Sequence, residues 1–229
     1  MTHTSKNTAL VLFTRSLLEE SHVKDLFASH TKGAVLYRSL VGRVRKEAAF
    51  SRMDYFEFTS SKQCGNCFAE KLSNTYRHFF DLGYEKVILI GNDCPGLGIR
   101  EFRKAEEALE KSGLIIGPTN LGGVYLIGCT KDFFETTFAI EEIAWNTDSV
   151  FGDFLNIHGE DLVLLKLQKE LNGLKDLPSL VSQFSIYKHF KNLVDLFNLR
   201  DHFSLIITSF FSALFYSFLG LRGPPIMIQ

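Results

Sequence analysis

The chain has 229 residues, 45% of them hydrophobic, and carries 25 basic against 26 acidic side chains for a formal net charge of -1. That length and apolar content suit one large domain with a sizeable core, and the even charge balance excludes nucleic acid as a partner. Four cysteines are too sparse for a disulfide framework and the opening MTHTSKNTALVLF has no secretory pattern, so reduced thiols and a cytoplasmic setting are expected.

Thr8 to Thr14 (TALVLFT) is a short apolar run expected to form the first strand, followed by a polar helix over Leu17 to Ser29. Tyr55 to Thr59 alternates as a second strand. From Asn66 to Leu82 the apolar residues Phe68, Leu72, Tyr76, Phe79 and Phe80 fall at helical spacing, and Gly83 stops the helix. Lys86 to Gly91 (KVILIG) is a continuous apolar run, the pattern of a central strand covered on both faces. A charged amphipathic helix over Arg100 to Ser112 and short strands over Leu114 to Ile116 and Val124 to Gly128 complete an alternation that predicts an α/β, Rossmann-like, mostly parallel sheet. Beyond Trp145 the pattern becomes helical and less regular.

Phe203 to Leu221 (FSLIITSFFSALFYSFLGL) contains no charged residue, which sets residues 201–229 apart as a hydrophobic helix or tail. Three roles stay open for it: a core or partner-facing helix, peripheral membrane association, or a membrane span.

Ligands of open α/β sheets sit outside the carboxyl ends of strands, so the cluster Gly91-Asn92-Asp93-Cys94-Pro95-Gly96-Leu97 is the candidate site. Asp93 offers a hard oxygen for a divalent cation that bridges phosphates, Gly91 permits close backbone approach and Pro95 fixes the turn. Equally, Asp93 could cap the helix or turn that follows. Cys64-Gly65-Asn66-Cys67 lacks a partner pair at zinc spacing, and the seven histidines include no HxH or HExxH pattern. Trp145, the single tryptophan, reads most simply as a packing residue.

Val87 to Leu97 is similar to the "VxLIGxDCPxL" segment of a bacterial family of glycosyltransferase-A-like transferases, often described as radical-SAM/selenoprotein-domain-associated transferases. In the same order, Gln63 and Gly65 match, Gly117 to Gly128 resembles "GPxxDGGYYLIG", and Ile143 to Val150 resembles "IxWSTxxV". The resemblance implies a GT-A (nucleotide-diphospho-sugar transferase) fold over residues 1–200, a mixed sheet with helices on both faces. It also implies a nucleotide or nucleotide-sugar partner, an unknown acceptor, and Mg²⁺ or Mn²⁺ at Asp93. Arg15 and Lys24 stand where the family's phosphate-binding cations fall, and Gly91, Asn92, Pro95, Gly122 and Gly123 complete the implied nucleotide site.

Two departures bear on activity. Leu121 replaces the aspartate of "DGG", and Asn172 replaces a carboxylate in Glu170 to Leu177, the loose counterpart of "DxDxxxDL". Asp93 alone is then an intact acidic position, and no catalytic base is identifiable. The expected function is a metal-assisted transferase using a nucleotide-diphospho-sugar. The alternatives are a non-catalytic binding or scaffold protein of the same fold, and nucleotidyl transfer to a small phosphorylated acceptor.

Overall fold

The computed structural model describes residues 6–16, 19 and 30–171. Its strands are β1 (Lys6–Thr14), β2 (Asp54–Thr59), β3 (Tyr84–Ile90), β4 (Leu114–Pro118), β5 (Val124–Thr130) and β6 (Leu162–Leu164). The helices are α1 (His30–Ala49), α2 (Phe68–Asp81), α3 (Ile99–Leu109), α4 (Lys131–Thr136) and α5 (Val150–His158), with a 3₁₀ turn at Ile140–Glu142. These elements lie in the first of two units, Met1–Leu180; the second, Val181–Gln229, falls outside the described residues with the expected hydrophobic segment 203–221. The helix expected over Leu17 to Ser29 also lies outside them, except for Glu19. Among the described residues no helix is long and apolar enough to cross a membrane.

The six strands form one sheet in the order β2-β1-β3-β5-β4-β6. Among the described strands only β5 opposes its neighbours, because a five-residue turn, 119–123, joins it to β4; parallel neighbours need a longer crossover. This is the expected mostly parallel mixed sheet.

The apolar run of β3 sits third in the order, between β1 and β5, and residues 87–90 are buried. Alternation sends Val11, Val87, Leu89, Ile116 and Ile127 to one face, against Leu72, Tyr76 and Phe79 of α2 and Phe154 of α5. Leu10, Leu12, Ile88, Ile90 and Ile115 face the other way, onto Val41 and Val44 of α1 and Phe102 and Ala105 of α3. The buried Tyr76 hydroxyl donates to the Ile127 carbonyl at 2.8 Å, which removes the cost of an unpaired polar group in this core. Gly83 closes α2 in the left-handed conformation at φ 92°, its N–H donating to Phe80 O at 3.0 Å.

Helix α1 has no counterpart among the predicted elements. Its buried residues Tyr37, Leu40, Val41, Val44 and Ala48 recur at helical spacing, diluted by charged neighbours. It has a direct bearing on Asp93: Glu47 of α1 accepts from the N–H of Ile99 at 3.1 Å, while Gly98 is the N-cap of α3. The helix after Asp93 is therefore capped from another element, and Asp93 is not its cap.

Candidate functional site

The carboxyl ends of β1 and β3, the β4–β5 turn and the start of β5 open onto a cleft of about 1000 Å³. Gly91 leaves β3 with its N–H donating to Tyr125 O at 3.0 Å, and Asn92 and Asp93 follow into the cleft wall. Asn92 is 6% exposed, and its side-chain Nδ2 has no hydrogen-bond partner. A buried donor left unpaired is costly unless a ligand or water supplies an acceptor.

The end of β1 is held by two side chains. Tyr37 of α1 donates its hydroxyl to Arg15 O at 2.8 Å, and Gln63 Nε2 donates to Thr14 O and Phe58 O, both at 2.9 Å. Arg15, exposed, lines the same cleft as Asp93.

The β4–β5 turn forms the third wall. Thr119 N–H donates to Gly123 O at 2.8 Å, Gly123 N–H to Thr119 Oγ1 at 3.1 Å, and Gly122 takes φ 81°. A Cβ on Gly122 would lie 1.9 Å from the Asp148 carbonyl, so this glycine lets the turn seat directly on the 145–148 loop. Leu121, the residue before it, lines the cleft and is 48% exposed. That loop is itself pinned by Asp153, whose Oδ2 accepts from Ala144 N at 2.9 Å and Ser149 Oγ at 3.2 Å.

One cleft carboxylate, Glu170, lies outside the sequence candidates. The segment 168–171 runs beside the end of β4, and Glu170 Oε2 accepts from Thr119 Oγ1 at 3.1 Å. Leu171 N–H then donates to Asp93 O at 2.8 Å, which ties this segment to the β3 loop. Glu170, Asp93, Asp148 and Glu19 are the cleft's acidic residues. Among the described residues no three His, Cys, Asp or Glu side chains group as a metal site. The donor set nevertheless suits Mg²⁺ or Mn²⁺, hard ions that combine one or two carboxylates with waters and phosphate oxygens.

Of the sequence candidates, Arg15, Gly91, Asn92, Asp93 and Gly123 line the cleft together. Pro95 and Gly122 are not among the lining residues; Gly122 shapes the turn that carries Leu121 and Gly123. Lys24 and Asn172 lie outside the described residues. Cys64 and Cys67 are exposed free thiols, and Cys67 Sγ caps α2 by accepting from Glu70 N–H at 3.5 Å. Trp145 both packs and lines the cleft, its ring 5.2 Å from Phe68 and 5.8 Å from Phe154. Burial pushes the Tyr125 hydroxyl well above its ordinary range, and it donates to Lys166 O at 3.0 Å beneath the site.

Solved structures resemble this architecture. A protein of Desulfovibrio desulfuricans G20, provisionally named a nucleotide-diphospho-sugar transferase, matches 84% of this chain and 98% of its own at 18% identity and a TM-score of 0.62. The 4-diphosphocytidyl-2C-methyl-D-erythritol synthase of Anaerococcus prevotii DSM 20548 matches 76% and 94% at 11% identity and a TM-score of 0.45. No curated protein matches the sequence. The fold is the GT-A type, that of the nucleotide-diphospho-sugar transferases. The family model for uncharacterized proteins conserved in bacteria, DUF2064, matches residues 30–147, half of the sequence, and the chain belongs to that family.

Proposed function

We propose that the protein is a transferase acting on a nucleotide-diphospho-sugar, related to the radical-SAM/selenoprotein-domain-associated transferases. The observation that carries this is the tie between Asp93 and Leu171 at 2.8 Å, which brings a second carboxylate segment, Glu170, to the loop after the central strand. Asp93 and Glu170 would hold Mg²⁺ or Mn²⁺. Bound there, the ion offsets charge on the diphosphate leaving group.

Arg15 supplies a guanidinium fork for phosphate oxygens, and the unpartnered Nδ2 of Asn92 supplies a neutral donor for the same ligand. Gly91 and Gly123 keep the floor open to a close approach. A non-catalytic nucleotide-binding protein of the same fold is the second alternative, favoured by Leu121 standing in the cleft where the resembled family carries an aspartate. Nucleotidyl transfer would use the same groups on a different phosphate bond.

A thermal-shift panel of nucleotide sugars and nucleoside triphosphates with and without Mn²⁺ tests the proposal. A ligand present at 100 times its dissociation constant adds roughly 2.7 kcal/mol of stability. A metal-dependent rise in melting temperature is expected with at least one donor, and a flat panel would reject nucleotide binding altogether.

A further inference from the structure

Phe13, Phe68, Leu121, Val124 and Trp145, from four separate segments, line the cleft with partly exposed apolar side chains. Leu121 is 48% exposed, a large apolar side chain left open to the cleft. Contiguous exposed apolar surface in a concave site marks a ligand with an apolar body.

The wall is built and rigid. Phe13 and Phe68 meet edge to face at 5.8 Å, and Phe68 meets Trp145 at 5.2 Å. Trp145 spends its only polar atom inside the protein, Nε1 donating to Ile140 O at 2.8 Å, so what it offers the cleft is hydrocarbon. Phe151 N–H donates to Gly122 O at 2.8 Å and holds the Leu121 turn against the Trp145 loop.

A diphosphate is charged and has no use for this wall, and a sugar, whose ring offers a C–H face to a single aromatic ring, gains little from the aliphatic side chains of Leu121 and Val124. Nor do the rings form a slot for a flat base, since their planes cross at 89° for Phe13 and Phe68 and 53° for Phe68 and Trp145. At about 1000 Å³ the cleft is at the upper end of the usual range for small-molecule sites and has room for a second substrate.

We infer that the acceptor is a small molecule whose accepting group is carried on an aromatic or alkyl body, and that Leu121, Val124 and Trp145 form its subsite. Calling this ligand the acceptor rests on the transferase proposal above. The replacement of an acidic side chain by Leu121 then changes which acceptor is taken.

The single tryptophan reports occupancy directly through its emission. Titration of the full-length protein with 4-butylphenol should change that emission saturably, while glycerol should not. Leu121→Ser, a change at a half-exposed position, should weaken 4-butylphenol about tenfold, the scale of losing a hydrophobic pocket contact. Val124→Thr should weaken it as well, and both variants should keep wild-type affinity for the nucleotide sugar with Mn²⁺ by calorimetry. Unchanged 4-butylphenol affinity in both variants, or no emission response, overturns the subsite. Nucleosides that quench Trp145 and lose affinity in Leu121→Ser would overturn it too, assigning the wall to the base. Leu121-dependent 4-butylphenol binding in a protein that binds no nucleotide would instead overturn the transferase proposal and the acceptor assignment with it, leaving an apolar-ligand site.

Discussion

The backbone N–H of Leu171 donates to the carbonyl of Asp93 at 2.8 Å, joining two loops 78 positions apart and setting Glu170 in the same cleft as Asp93. Glu170 is in turn oriented by Thr119 Oγ1 at 3.1 Å, so its carboxylate is fixed before any ligand arrives. Preorganised acidic ligands lose less entropy on binding a cation than free side chains do.

Asp93→Asn removes a charge while keeping the shape of the side chain. Calorimetry should show the Mn²⁺-dependent part of nucleotide affinity lost, with a change in unfolding free energy of roughly 0.5 kcal/mol or less. Retained metal-dependent binding would remove Asp93 from the site.

Glu170→Gln keeps an oxygen for Thr119 but loses the charge. Nucleotide affinity in Mn²⁺ is expected to fall about tenfold, the lower range for disturbing a metal's ligand environment. In the absence of metal the variant and the wild type should bind alike.

Leu121→Asp introduces a carboxylate into the cleft. Because Leu121 is 48% exposed, the aspartate would stay solvated and the fold should be retained, with a cost of roughly 1 kcal/mol or less. Mn²⁺ affinity should rise. A folded variant with no gain would count against a repairable metal site and favour the non-catalytic alternative.

Gly122→Ala meets two obstacles: φ at 81° and an Asp148 carbonyl 1.9 Å from the new Cβ. The left-handed conformation alone costs a side-chain-bearing residue about 1–2 kcal/mol. Chemical denaturation should show a loss of about 2 kcal/mol or more. Ligand affinity should fall as well, because the turn carrying Leu121 and Gly123 must lift from the 145–148 loop.

His158, 4% exposed among Phe133, Phe138 and Phe154, leaves its Nε2 without a hydrogen-bond partner. Burial holds the imidazole below its ordinary value of 6.5, against the opposing pull of Asp161 and Glu142. The unfolded chain therefore takes up this proton more readily than the folded one. The stability it contributes is present above about pH 6.5 and is lost as pH falls through that value towards the folded one. Melting temperatures measured from pH 8 to pH 5 should decline at the acid end, and His158→Leu should decline less steeply; parallel curves would exclude His158 as a source of the slope.

The amino-acid sequence by itself determined the alternation of elements, the central position of β3 and the loop on which the candidate site is built. Those features are local: a strand buried on both faces must be apolar at every position from Val87 to Ile90, and a polar cluster directly after it must emerge at the sheet's edge. Helix α1 was legible in principle, since Tyr37, Leu40, Val41, Val44 and Ala48 share one face, but its charged residues mask the period. Tertiary structure alone decided which side chains meet. The capping of α3 by Glu47, the approach of Glu170 to Asp93 and the gathering of Phe13, Phe68, Leu121 and Trp145 into one wall all join distant segments. Spacing along the chain holds no record of such pairs, because they are set by strand order and by the turn that Gly122 permits.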